Sequence, residues 1–160
     1  MASQDVVLWR IAKETPDYPA DDLSGGGAKT VGGRWNRKGT AAVYASTTIA
    51  LATLETLAHL GGNISMRNAF LVRIDIPAAL WAQRRTVDLA SLPPAWLAEP
   101  PSATSINLGD HWLRTQARLL LLVPSIIVPE EYNVVINPAH PSAVQLRAQV
   151  ARQYVYDPRL

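Results

Sequence analysis

Proline sets the first limit on what this sequence can build. Twelve prolines and nine glycines are spread along 160 residues. That excludes a bundle of long helices and favours many short elements. The apolar runs are short too. The longest, Leu119 to Val123, ends at Pro124, far below a membrane span. Apolar residue types make up 48% of the chain, ample for a buried core, and the length suits one domain over residues 1–160.

Periodicity then places the elements. Val6 to Ala12 reads as a strand carrying one charge, Arg10, and Ala41 to Ala45 as a second strand containing Tyr44. Thr15 to Gly33 reads as irregular. Ser46 to Leu60 is the clearest helix, with Ser46 or Thr47 as its cap and Gly61-Gly62 as its stop. Leu51, Leu54, Leu57, Ala50 and Ala58 fall on its core side, and Thr48, Ala52, Glu55 and His59 on a narrower strip.

Further on, Ala69 to Ile76 alternates as a half-buried strand. Pro93 to Glu99 and Gly109 to Ala117 are predicted short helices. Leu119 to Val123 and Asn133 to Ile136 are buried strands, Ser142 to Arg152 a last helix, and Tyr154 to Tyr156 a closing strand. Strands outnumber long helices, which predicts an α+β fold: a twisted, mostly antiparallel sheet with helices packed on it.

Charge and cysteine usage exclude several chemistries. Fifteen Lys and Arg against thirteen Asp and Glu give a formal +2, and the bases are scattered rather than gathered into a nucleic-acid footprint. The absence of cysteine removes disulfides, thiolate catalysis and Cys-ligated metal sites. The three histidines, His59, His111 and His140, lack metal-ligand spacing, so no metal is expected. No Gly-x-Ser-x-Gly elbow or Walker motif occurs. The N-terminus is short and acidic, unlike a signal peptide, so a cytoplasmic protein is the expectation.

Five residues remain as candidates. Glu55 is either half of an i,i+4 pair with His59 on a solvated face or a carboxylate held at a cleft edge to stabilise positive charge or accept a proton. Arg34 follows Gly32-Gly33, where backbone can approach a ligand closely; its fork suits phosphate or carboxylate, or it is a surface arginine on a tight turn. In the same loop Trp35 can anchor into the core and Asn36 can tie the turn. Arg10, inside an apolar strand, must face solvent, a partner or an anionic ligand. Tyr44 offers a ring face or simply packs. Ser125, after Val123-Pro124 where two apolar strands break, caps the turn with its hydroxyl.

These segments together resemble the RES-domain toxin family. The matching text is Leu8-Trp9-Arg10-Ile11, Gly32-Gly33-Arg34-Trp35-Asn36 with Gly39, Ala42-Val43-Tyr44-Ala45, and Leu54-Glu55 with His59. Gly109-Asp110-His111-Trp112-Leu113 and Val123-Pro124-Ser125 follow. Asn133, Ile136 through Pro141, and Asp157-Pro158-Arg159-Leu160 complete it. The likeness runs in order from Trp9 to the C-terminus.

The resemblance implies an ADP-ribosyltransferase-like fold with NAD, as substrate, in a cleft of a split sheet. It implies NAD consumption by hydrolysis or phosphorolysis, or transfer of ADP-ribose to a protein. In that frame Glu55 steadies the cationic ribose, Tyr44 lies against nicotinamide, Arg34 and Arg10 hold the phosphates, and Ser125 bonds ribose or carboxamide. The implied partner is an Xre-like antitoxin covering the cleft. The competing reading from another class is a non-enzymatic nucleotide or nucleic-acid binding module, supported by the basic pI of about 9.2.

Overall fold

The computed structural model describes residues 4–60 and 68–160. Seven strands, β1 (Val6–Lys13), β2 (Val43–Ser46), β3 (Ala69–Ile76), β4 (Arg85–Thr86), β5 (Leu120–Pro124), β6 (Tyr132–Ile136) and β7 (Arg147–Gln153), make one sheet. Its order is β4-β5-β6-β2-β1-β3-β7, and every pairing except β4 with β5 is antiparallel. Helices α1 (Gly26–Val31), α2 (Ile49–Leu60), α3 (Ala78–Ala82) and α4 (Ala103–Thr115) accompany it. The α+β architecture expected from sequence is the one observed.

The split is visible in the register. β1 meets β3 along its whole length but meets β2 at a single pair, Trp9 with Ser46. Two halves of the sheet therefore join at a narrow seam, and backbone pairing lapses on either side of it.

Alternation along the strands sorts residues between two cores. On one face Leu8 and Ala12 of β1, Val43 and Ala45 of β2, and Val134 of β6 pack with Leu80 of α3. On the other, Leu121, Val123 and Val135 pack with Trp35, Trp96 and Trp112. Leu120 to Val123 are buried on both faces, so an unbroken apolar run reads correctly as a central strand. Among the described residues no helix is long and apolar enough to cross a membrane.

Several expectations need correction. Ser142 to Arg152 is not a helix but a 3₁₀ turn, Pro141–Gln145, followed by edge strand β7. The outer edge of β3 needs a partner for its amides and carbonyls, and that demand overrides the helix preference of Ala, Gln and Arg. Tyr154 to Tyr156 lies beyond the end of β7. The stretch Thr15 to Gly33 contains α1. The Pro93–Glu99 segment is a 3₁₀ turn, Pro94–Leu97. Helix α4 begins at Ala103, well before Gly109, because Ser102 accepts the Thr104 amide at 3.3 Å and caps it.

Helix α2 is capped by Thr48, whose hydroxyl accepts the Leu51 amide at 3.1 Å. Ser46 is still in strand β2 and cannot serve. The Gly61-Gly62 stop lies outside the described residues. The helix is also turned from its expected orientation: Leu51, Ala52 and Thr53 are buried, while Ala50, Leu54 and Ala58 are exposed. Small Ala52 and Thr53 let the helix approach closely, and Glu55 shares the half-buried flank of that arc.

Asp110 of α4 locks this helix to the Arg34 loop. Its Oδ1 accepts the Arg37 amide at 3.0 Å and its Oδ2 lies 2.9 Å from the Arg114 Nε. Burial pushes the carboxyl up, but the Arg37 amide, the Thr40 hydroxyl and the guanidinium groups of Arg114 and Arg37 outweigh it and leave it below its ordinary value. A carboxyl with a depressed native pKa stabilises the fold above its unfolded value, about 4, and that stability is lost as pH falls through the lower native one. Asp110→Asn should cost about 1–3 kcal/mol at neutral pH and flatten the acid limb of the stability curve. Urea melts between pH 7 and 3 measure both.

Candidate active site

Register brings the polar residues of the second face together. Ser46 of β2 stands opposite Asn133 of β6, and Asn133 stands opposite Val123 of β5. Directly paired side chains leave a sheet on the same side, so Tyr44, Ser46, Asn133 and Val135 share one face. Helix α2 follows β2 and lies against β1 and β2, which brings Glu55 onto that face.

Glu55 is held by one oxygen. Its Oε1 accepts from the Ser125 hydroxyl at 2.6 Å and from the Asn133 Nδ2 at 2.7 Å. The Ser46 hydroxyl donates to the Asn133 Oδ1 at 2.7 Å. Among the described residues no hydrogen bond ends on Oε2, and none joins Glu55 to His59. The side chain is therefore engaged with the sheet, and the expectation of a solvated i,i+4 pair is replaced by this network.

Ser125 has no capacity left. It is fully buried; its proton goes to Glu55, and its oxygen accepts the Ile127 and Val128 amides, each at 3.1 Å. One proton and two lone pairs are the whole inventory of a hydroxyl. Ser125 thus caps the β5–β6 turn and anchors Glu55 at once.

The Gly32–Asn36 loop performs a second anchoring task. The Tyr44 hydroxyl donates to Asn36 Oδ1 at 2.6 Å and accepts the Trp35 amide at 3.1 Å. Asn36 Nδ2 in turn reaches the carbonyls of Ala28, Arg37 and Thr40. A Cβ on Gly33 would sit 2.8 Å from Asn36 Oδ1 and 2.9 Å from the Tyr44 oxygen, so only glycine leaves room for this clasp. Burial raises the phenol well above its ordinary pKa, against lowering effects from the Trp35 amide and Arg34. The phenol is neutral and its ring plane is fixed.

Arg34 points into the same neighbourhood but is committed elsewhere. Its Nη1 donates to the carbonyls of Trp96 and Ala98 at 2.9 and 2.8 Å, and its Nη2 meets Glu99 at 2.5 Å. The arginine side chain is 12% exposed and the glutamate 73%. Among the described residues Glu99 is therefore the partner on the solvent side.

Arg10 lies apart from the Glu55 group. Alternation puts it on the face of Leu8 and Ala12, and its Nη1 donates to the Tyr44 carbonyl at 3.1 Å. That bond crosses the seam where β1 and β2 stop pairing. Burial lowers the guanidinium pKa, partly offset by Asp22, and Nε is buried without a partner among the described residues.

Of the five sequence candidates, Glu55 and Ser125 touch, Arg10 touches Tyr44 through its carbonyl, and Arg34 adjoins Tyr44 through Trp35. Asn133 and Ser46 were missed as site residues. The available signal was a polar Asn133 inside the apolar run of β6, the same anomaly that singled out Arg10.

The fold and site define a class: a small α+β protein with a split antiparallel sheet and one buried-side carboxylate fixed beside the seam. The RES domain family model matches residues 7–157, and the chain belongs to the RES-domain family. A protein of Sphingobium named "Prs ADP-ribosylating toxin" is 49% identical over 96% of this chain and 95% of its own length. A Yersinia enterocolitica protein named "Toxin Res" is 36% identical over 97% and 99%. A chain in the crystal structure of the M. tuberculosis MbcT–MbcA toxin–antitoxin complex superposes with a TM-score of 0.66 at 18% identity, covering 93% of this chain and 85% of that one. At that identity the likeness is one of fold.

Proposed function

We propose that this chain is the toxin of a toxin–antitoxin pair and that it breaks the nicotinamide–ribose bond of NAD. The observation that carries this reading is the Glu55 carboxylate, tethered through Oε1 with Oε2 left unbonded among the described residues. The relatives' names and the toxin–antitoxin neighbour support the class of protein. An Xre-like antitoxin covering the site, in the cytoplasm, is the partner in this reading.

In the reaction, the bond between the pyridinium nitrogen and ribose C1′ breaks, and its electron pair stays with nicotinamide, which leaves neutral. Positive charge develops on the sugar. A carboxylate aimed there stabilises it, as in glycoside cleavage. Glu55 supplies that charge. Tyr44 lies against the nicotinamide ring, held in plane by Trp35 and Asn36. Arg34, beside Tyr44, supplies the positive charge for the diphosphate, which replaces Glu99 on its Nη2, whereas Arg10, on the other face, braces the seam through the Tyr44 carbonyl. Ser125 acts through Glu55 rather than on the ligand.

The group that attacks C1′ distinguishes the activities. Water or phosphate gives free products; a protein side chain gives an ADP-ribosylated target, a second reading favoured by the name of the 49%-identical relative. NAD labelled in its adenine half, incubated with and without phosphate and with a cell lysate, separates them. Nicotinamide release with label in ADP-ribose, in its phosphate, or on protein assigns the acceptor. Absence of nicotinamide under all three conditions overturns the proposal and revives a binding module.

A further inference from the structure

Resting on the NAD-cleavage reading, we propose that Asn133 is a positioning residue for Glu55 and that Ser46 acts through it by holding its amide in place. An asparagine amide can present either its NH₂ or its oxygen. Facing Glu55 with the oxygen would set two acceptors 2.7 Å apart, a repulsive contact. The acceptor-only carboxylate therefore takes the NH₂, and the Ser46 proton, donated to the Oδ1 left on the other side, holds the amide in that plane.

The arrangement is rigid because it is built on paired strands. Ser46 and Asn133 are register partners, so their separation is set by sheet geometry rather than by a loop. Ser125 approaches the same oxygen from the β5–β6 turn, its own position fixed by two amides. Two anchors on Oε1 stop rotation of the carboxylate about its terminal torsion, and both fall on the same oxygen. Oε2 is thus the oxygen presented to the sugar, with no donor on it among the described residues. One anchor alone would let the carboxylate swing, and misplacement by about 1 Å can cost roughly 100-fold in rate.

The test is a kinetic cycle on nicotinamide release, with thermal melts alongside. Asn133→Ala should lower kcat about 10- to 100-fold while KM for NAD moves less than about 3-fold, since the ligand's own contacts are untouched. Ser46→Ala should lower kcat by a smaller factor, and Ser46→Thr, which keeps the hydroxyl, should restore most of that loss. In the double variant Ser46→Ala adds no further loss to Asn133→Ala, because Ser46 has no amide left to hold.

Full additivity, or kcat within about 2-fold of wild type for Asn133→Ala, overturns the inference while NAD cleavage stands. A wild type that releases no nicotinamide overturns both. Should Asn133→Ala fail to fold, Ser46→Ala and its threonine rescue read the same chain with Asn133 in place.

Discussion

Glu55→Gln yields a folded protein that releases nicotinamide at least about 100- to 1,000-fold more slowly than wild type, the size of loss seen when one electrostatic stabiliser of a transition state is removed. The size of the effect depends on which end of the new amide faces the sugar. Ser125 and Asn133 both donate to Oε1, so the amide oxygen must take that place. The NH₂ then occupies the position of Oε2 and aims a positive dipole at a sugar that is itself becoming positive. Stability changes little by comparison. Two hydrogen bonds go from charged to neutral, about 1 kcal/mol in all, or about 2–4 °C for a chain of this size. Chromatography of nicotinamide at saturating NAD, with a melt of the same sample, measures both. Undiminished release would remove Glu55 from the chemistry.

The fold was legible where burial leaves a periodic trace. β3 alternates because one of its faces is covered more fully than the other, and β5 runs Leu120 to Val123 without a break because both its faces are covered. The trace fails at the sheet edge. β7 is exposed almost throughout, so its sequence records no inside and outside, and local preference pointed to a helix. Helix α2 fails differently: three leucines marked an apolar arc, yet close approach to the sheet buried Leu51 with the small Ala52 and Thr53, and Leu54 is left 41% exposed. Glu55 came through that error because it neighbours the true buried arc.

The candidate site was legible as residue types and not as contacts. Glu55 and Ser125 are 70 positions apart and Asn133 is 78 from Glu55; only the β5–β6 and β2–β6 registers bring them together, and no local pattern encodes those registers. Arg10 shows the converse. Its presence in an apolar strand signalled a special role, but only the single-pair seam between β1 and β2 shows that its guanidinium bridges a gap in the backbone ladder. Arg34 likewise signalled an anion, and part of what the structure places on it is the chain's own Glu99.

Gly109→Ala reverses the sign that helix propensity assigns. In the interior of an exposed helix the substitution gains about 0.5–1 kcal/mol. Gly109, however, sits where α4 touches the Trp35 backbone: an added Cβ would lie 2.0 Å from the Trp35 carbonyl oxygen and 2.7 Å from its carbonyl carbon. A flexible side chain could give way; a main-chain carbonyl cannot move without its loop. That loop also carries the Trp35 amide on Tyr44, and the Arg37 amide on Asp110 ties it back to α4. The clash therefore has no local relief, and a loss of about 3 kcal/mol or more is expected, a fall of about 6–12 °C in Tm. Activity should fall with it, since Tyr44 loses its fixed plane. Gly27→Ala is the control, for Gly27 is in α1 with nothing within 4 Å of an added Cβ, and it should raise Tm slightly. If both variants melt above wild type, α4 does not rest on the loop backbone, and the loop's hold on Tyr44 must come from Asn36 alone.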